Sequence, residues 1–515
     1  MAQDCNQGMK RAPVLSASLI LAALLSMLSA CGSVGTPAAA SETASQAFQR
    51  QARPVPAAVQ PTAGKPAEVQ AADSLFPGVQ VTAAVLEVGG RAPVMASLKF
   101  TARAGESLTA QLIDVSVESA PAGVSVRLLP ISSGPDGAAP ELTLPLEVLA
   151  DGAVSQGTGI QGAGIQATAG RAIWLNVRQG AQVLRVHVPL LWASRVALPR
   201  TASDSASGSG FQAAATVPCG PDVYLFAPLN APLERRTHML RKTTGTGAES
   251  AVQSYDLNLA PTEGVTSLLC DPSGAVWLTL HSGDAQGSVI ARFSPQSGQL
   301  TRFGADAAGD TLNNLTRTPD GRLWFVQYKR DRLGEFDPRT GRVITHAVAE
   351  NAENLRLGQD GALYYSQFYA HPAVVRYDPA TGGSTVMSVG TSGTNLPRAG
   401  VQAGGALWYV DAWTQTLVRI DPASGQLSTA QLPAGATPGE LVASPEGTLW
   451  LADAARHVLY RLDPGSLEAV TVPLGTTLLG AGPLAGGGSD GPRALSVDNS
   501  GRLWYESGGQ LIGQW

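Results

Sequence analysis

Apolar and polar positions alternate with period two through much of the chain, as in Leu142-Thr143-Leu144-Pro145-Leu146-Glu147-Val148. Alternation of this kind gives a strand one buried and one wet face. Between residues 75 and 198 it predicts strands at Val79–Val81, Leu98–Phe100, Leu108–Leu112, Val124–Leu128, Leu142–Val148, Ile173–Val177 and Val183–Val188. Turn residues separate them, among them Ser132-Ser133-Gly134-Pro135-Asp136-Gly137 and Arg178-Gln179-Gly180-Ala181. Roughly seven short strands over this length suggest a β-sandwich that is Ig-like in strand rhythm, although no Cys…Trp…Cys pattern accompanies it.

From residue 211 to 515 the pattern becomes a repeat. A turn and Gly-x-Leu-Trp recur at Gly321–Trp324, Gly405–Trp408, Gly447–Trp450 and Gly501–Trp504, each aromatic standing within a short apolar run. A second phrase, Arg-x-Asp-Pro-x-Thr/Ser-Gly, carries prolines at 295, 338, 379, 422 and 464, a spacing of 41 to 43 residues. Such a period with β-type segments is the signature of propeller blades. The aromatics Tyr224, Trp277, Trp324, Tyr364, Trp408, Trp450 and Trp504 mark seven of them. The fold class expected is therefore all-β, a seven-bladed β-propeller preceded by a sandwich. The chain ends on a third strand, Leu511–Trp515, so the last blade needs an outer strand from elsewhere, expected around Phe211 to Ala215.

The N-terminus adds a destination. Lys10 and Arg11 precede an apolar run, Val14 to Leu28, too short for a comfortable membrane span and shaped like a secretion signal. It ends in Leu28-Ser29-Ala30-Cys31, which resembles a lipobox of bacterial lipoproteins, and that resemblance implies cleavage after residue 30 and acylation of Cys31. Residues 31–74, rich in Ala, Pro, Gln and Ser, read as a disordered tether, and 199–210 as a linker. The expected location is the cell envelope, anchored to a membrane through lipid; inner and outer membrane are not distinguished. In an oxidising compartment Cys219 and Cys270 form an even pair, and both would end innermost strands of adjacent blades, so a disulfide is expected. A formal charge of −5 with no basic run beyond the first dozen residues argues against nucleic acid as a partner.

Three residues beyond the blade aromatics stand Gln327, Gln367, Asp411, Asp453 and Ser507, with Leu280 breaking the set. Converging strand ends would make them a polar ring able to hold a small ligand or a hard cation, Mg²⁺ or Ca²⁺. Trp413, Arg493 and Glu506 join the binding candidates; Phe368-Tyr369-Ala370-His371 and Arg456-His457 offer aromatic and basic loops nearby. Two further motifs carry no site. Gly157–Gly162 fits G-x-G-x-x-G without a following helix, and Gly487–Gly491 fits G-x-S-x-G inside a glycine-rich loop.

The cadence Pro319-Asp320-Gly321-Arg322-Leu323-Trp324-Phe325 with Leu333-Gly334-Glu335-Phe336 resembles the virginiamycin B lyase (streptogramin lyase) family over about residues 217–515. The resemblance implies a seven-bladed propeller that opens cyclic depsipeptides by Mg²⁺-assisted elimination. It also implies histidines after a proline on the inner strands of the last two blades, and a glutamate just beyond the final aromatic pair. Here those positions read Pro438-Gly439, Pro492-Arg493 and Gly508, with Glu506 two residues away. Glycine supplies no ligand or base and Arg⁺ repels a cation. The expectation is thus a propeller that binds a small ligand or an envelope protein without catalysis. The alternatives are a metal-assisted lyase or hydrolase using Asp411, Asp453 and Glu506, and an envelope assembly scaffold.

Overall fold

The first described strand, Val79–Val81, opens a four-stranded sheet with Val94–Thr101, Glu141–Ala150 and Val124–Leu128. The computed structural model describes residues 78–514 except 88–91, 133–137, 151–171, 199–213, 228–237, 244–251, 283–286, 308–309, 349–351, 368–372, 389–396, 412–414, 467 and 475–490. The signal peptide, Cys31, the tether, Gly157–Gly162, Trp413 and His371 lie outside the described residues.

A second sheet, built from Gln182–Ala197, Ala172–Gln179 and Asp114–Ser119, faces the first. Leu98, Phe100, Leu142, Leu144 and Leu146 pack against Ile173, Leu175, Val177, Val186 and Val188 in one dry cluster. The alternating residues of Glu141–Ala150 supply its inward side, with Leu142, Leu146 and Val148 fully buried. Two expectations change here. Leu108–Leu112 is only a two-residue strand that runs into a 3₁₀ turn. Strands Ala84–Glu87 and Asp114–Ser119 escape the pattern; most side chains of the latter are exposed at a sheet edge, where alternation is weakly enforced.

Beyond residue 213 the described residues form seven sheets, taken here as blades 1 to 7 in chain order. Six consist of four consecutive antiparallel strands. Their first strands are Ala215–Cys219, Glu263–Cys270, Leu312–Arg317, Ala352–Leu357, Pro397–Ala403 and Leu441–Ala443; blade 7 begins with Arg493–Val497. Each first strand adjoins the next, and that of blade 7 adjoins that of blade 1, so the seven enclose an axis.

The side chains close the same cycle. Each blade aromatic packs on the second strand of the following blade: Tyr224 against Val276 and Leu278, Trp277 against Leu323 and Phe325, Trp324 against Leu363 and Tyr365. Tyr364 meets Leu407 and Tyr409, Trp408 meets Leu449, and Trp450 meets Leu503 and Tyr505. Trp504 of blade 7 returns to Val223 and Leu225 of blade 1. Large aromatics suit these seams because each buries on the order of 150–250 Å². Within blade 3 the side chain of one strand also lies over its cross-strand partner closely enough to demand glycine. A Cβ on Gly334 would lie 2.1 Å from the Phe325 ring.

The turns explain the repeat. In Asp337-Pro338, Asp378-Pro379, Asp421-Pro422 and Asp463-Pro464 the carboxylate accepts the backbone N–H two residues on, from Arg339, Ala380, Ala423 and Gly465. Gly341, Gly382 and Gly425 then take positive φ to close the bend.

Blade 7 holds the main correction. Its outer strand is not Phe211 to Ala215: Ala215 starts the first strand of blade 1, and Phe211 lies outside the described residues. The long strand Gln182–Ala197 supplies it. Residues 182–189 pair with Ala172–Gln179 inside the sandwich, and residues 193–197 pair antiparallel with Gln510–Gln514. Leu190–Ala193 also pairs in parallel with Ala84–Glu87. Leu191 and Ala83 enter the seam between blades 6 and 7 beside Trp450, Leu503 and Ile512. One strand thus belongs to both the sandwich and the propeller.

Candidate functional site

Near the start of the first strand, blades 2, 3, 4, 5 and 7 carry a β-bulge, at Val265/Ser267, Asn313/Thr316, Glu353/Arg356, Arg398/Val401 and Arg493/Ser496. Asn314, Asn354 and Ala494 stand within these bulges with φ near 55°. Asparagine tolerates that conformation and alanine resists it, so Ala494 marks local strain beside the axis.

Freed from pairing with their own blade, bulge groups bond to the neighbouring one. The Asn354 backbone N–H donates to Asn314 Oδ1 at 3.0 Å, and Leu315 N–H donates to Ser267 Oγ at 3.3 Å. Glu440, just before the first strand of blade 6, accepts Leu495 N–H of blade 7 at 2.7 Å. Thr216 of blade 1 donates to Ala494 O at 2.6 Å, closing the belt where the ring closes.

Among the described residues of this belt, Arg356 and Glu440 are the exposed charged pair. Arg356 lies on the innermost strand of blade 4, flanked by the inner strands of blades 3 and 5, yet it is solvent-exposed. Its own sheet and both neighbours are packed, so the open direction is the axial channel. Protein atoms still surround it, and the resulting desolvation holds its pKa below the ordinary guanidinium value, partly offset by the charges of Glu440 and Tyr409. Glu440 is likewise exposed. Enclosure pushes its carboxyl up, against the Leu495 N–H bond and the charges of Arg356 and Arg493. Arg356 and Glu440 belong to blades 4 and 6, which do not adjoin, so their mutual influence runs through the channel. Burial also raises the Tyr409 hydroxyl. Its ring lies against blade 5's inner strand where Gly400 leaves room; a Cβ there would sit 2.5 Å from the ring.

The polar set foreseen from the repeat lies elsewhere. Gln327, Gln367, Asp411 and Asp453 are buried at the ends of second strands instead of forming an open ring. Gln327 donates to Ala305 O of blade 2 at 3.3 Å. Asp453 accepts Thr437 N–H at 2.9 Å, the Thr437 hydroxyl, Arg456 N–H at 3.1 Å and Tyr460 O–H at 3.3 Å, which ties the entry loop of blade 6 to its second hairpin. Arg493 and Glu506 face each other across blade 7 at 3.1 Å, and Glu506 accepts Gly509 N–H at 2.9 Å. Of the expected candidates among the described residues, Arg493 comes near the axial groups, through its charge on Glu440. Arg356 and Glu440 escaped the sequence reading because each occurs once, without a repeat to single it out.

The donors do not fit the Mg²⁺ that the resemblance implies. Gly439 offers no ligand, Arg493 brings positive charge, and the Asp453 carboxylate is already occupied by protein donors. Among the described residues no three His, Cys, Asp or Glu converge as a metal set. Asp411, Asp453 and Glu506 therefore do not form the shared cation site expected of them.

At the far ends of the first strands Cys219 and Cys270 form a disulfide between blades 1 and 2, with Cα atoms 5.3 Å apart. A cavity of about 630 Å³ lies beside it, lined by Pro218, Pro221, Asp222, Arg241, Asp271 and Pro272. Its charges are engaged within the protein: Arg241 pairs with Asp222 at 2.7 Å, and Asp271 accepts from Ser273 N–H and the Trp277 indole N–H. The axial groups are the better candidates for recognition because Arg356 has no such commitment.

Residues 238–475 match the model of the Virginiamycin B lyase family. Virginiamycin B lyase from Staphylococcus aureus superposes with a TM-score of 0.50 at 16% identity, over 63% of this chain and 99% of that one. A catalytically inactive form of the Staphylococcus aureus enzyme with quinupristin gives 0.50 at 17% identity, again over 63% and 99%. A streptogramin B lyase structure gives 0.50 at 15% identity, over 63% and 97%. No curated protein sequence matches the chain. Family match, superposition and the blade cycle agree: this all-β chain carries a β-propeller similar in fold to that of virginiamycin B lyase.

Proposed function

We propose that the chain is a cell-envelope lipoprotein, anchored through acylated Cys31, whose propeller binds a small ligand in its axial channel without lyase chemistry. The observation that carries the reading is the pair Arg356 and Glu440, two exposed charged groups on inner elements of the non-adjacent blades 4 and 6 that act on each other through their charges. Charged side chains so placed are costly to the fold, and a bound polar ligand is their usual counterpart. Where the related lyases imply histidine ligands or bases, Gly439 and the ion-paired Arg493 stand.

Two experiments test this. Incubation with quinupristin, with and without Mg²⁺, is expected to leave the ring closed by mass spectrometry; turnover abolished by Asp453→Ala would establish the lyase reading instead. For the anchor, the full chain is expected in the detergent phase of a Triton X-114 partition and Cys31→Ser in the aqueous phase. Equal partition of the two would remove the lipoprotein assignment.

A further inference from the structure

Arg356 donates to Leu355 O at 2.9 Å, and among the described residues no carboxylate lies within ion-pair distance of it. The other arginines near carboxylates in the propeller are engaged: Arg241 with Asp222, Arg302 with Glu263, Arg322 with Glu335, Arg376 with Asp360, Arg493 with Glu506. Arg356 is thus a guanidinium set toward the axis, enclosed by protein and left with donors to spare. A guanidinium presents a rigid fork that matches a carboxylate with two parallel hydrogen bonds.

The surroundings restrict what can approach. Among the described residues Glu440 acts on Arg356 through its charge, and Arg493 acts in turn on Glu440, so an acidic group stands near the guanidinium with a second basic one beyond it. Arg356 and Glu440 also sit at different depths. Arg356 pairs with Tyr364, whereas Val442 pairs with the equivalent Trp450. Glu440 is two residues before Val442, or roughly 7 Å nearer the end of the ring where the innermost strands begin, at the strand rise. Its carboxylate keeps acceptor capacity beyond the Leu495 bond.

We infer that the axial channel selects a small molecule or peptide end bearing a carboxylate, which docks on Arg356, and a hydrogen-bond donor or ammonium, which faces Glu440. This rests on the ligand-binding reading above and adds the chemical class. No bond is made or broken; recognition is by charge and hydrogen bonding alone.

Isothermal titration of the full chain in detergent micelles tests it, with L-alanyl-L-alanine, its C-terminal amide and propionate as probes. The dipeptide is expected to bind, and the amide at least about tenfold more weakly, the factor that about 1.4 kcal/mol gives. Arg356→Met should abolish dipeptide and propionate binding, while Arg356→Lys should keep a weakened response. Glu440→Gln should weaken the dipeptide and spare propionate. Equal binding of acid and amide, unchanged binding by Arg356→Met, or no binding of any carboxylate probe would overturn the inference. A neutral molecule found in the channel by crystallography would sink it while leaving the broader ligand-binding reading standing; an axial channel that takes no ligand of any class would sink both. Circular dichroism of each variant separates lost binding from lost fold.

Discussion

Leu191→Ala tests whether sandwich and propeller fold as one body. Leu191 lies in the strand Gln182–Ala197 and is 6% exposed, yet its side chain is buried with Trp450, Leu503 and Ile512 of blades 6 and 7. Truncating a buried leucine costs about 2–5 kcal/mol, the spread reflecting how far the cavity collapses. The seam offers little room for collapse, since Ala83, Leu459 and Val472 complete it at 0% exposure. The upper part of that range is expected. The five-residue ladder between Ala193–Ala197 and Gln510–Gln514 should couple the loss to both bodies. Urea denaturation followed by tryptophan fluorescence and far-UV circular dichroism should show one transition displaced to lower urea with unchanged slope. The control Phe100→Ala, in the sandwich core, should displace the same transition. Two transitions, with the propeller indifferent to either substitution, would refute the shared-strand argument.

Other outcomes follow from particular contacts. Replacing Cys219 and Cys270 by serine opens a loop with a sequence separation of 51, and the chain-entropy model gives a loss of about 4 kcal/mol, read as a lower denaturation midpoint. Gly334→Ala drives a Cβ into the Phe325 ring and should cost about 1–3 kcal/mol, seen as a lower Tm. The turn carboxylates Asp337, Asp378, Asp421 and Asp463 are held below the ordinary carboxylate range, chiefly by backbone N–H groups of Arg339, Ala380, Ser424 and Ser466. Because their folded pKa is lowered, their contribution is full above the unfolded value of about 3.9 and is lost as pH falls through the folded one. Asp421→Asn and Asp463→Asn should therefore flatten the loss of stability between about pH 5 and pH 2; an unchanged pH profile would exclude the turn mechanism.

The propeller was legible because its determinants are local. A Pro that fixes φ, an Asp that accepts the N–H two residues on and a Gly that turns the bend recur at a fixed interval and need no distant partner. The blade aromatics were legible for the same reason. The shared strand was not. Val183–Val188 announces a sandwich strand, but nothing local in Pro189–Ala197 tells which of two sheets it joins, a choice settled some 320 positions later by Gln510–Gln514. Periodicity misled at Gln327, Gln367 and Asp453. It marked the end of each second strand correctly, but the side chains there are used inside the fold: Gln327 reaches Ala305 of the neighbouring blade and Asp453 reaches Thr437 in the entry loop of its own. Arg356 and Glu440 gained meaning only when the ring brought blades 4 and 6 around one axis.

Residue-resolved hydrogen–deuterium exchange of the full chain is the most direct test of that ring. Amides of Gln510–Gln514 and Ala193–Ala197 are expected to be protected together, and as strongly as the central strands of blade 3. Rapid exchange at Gln510–Gln514 beside a protected blade 3 would mean that blade 7 has an open edge, and the closed propeller described here would be wrong.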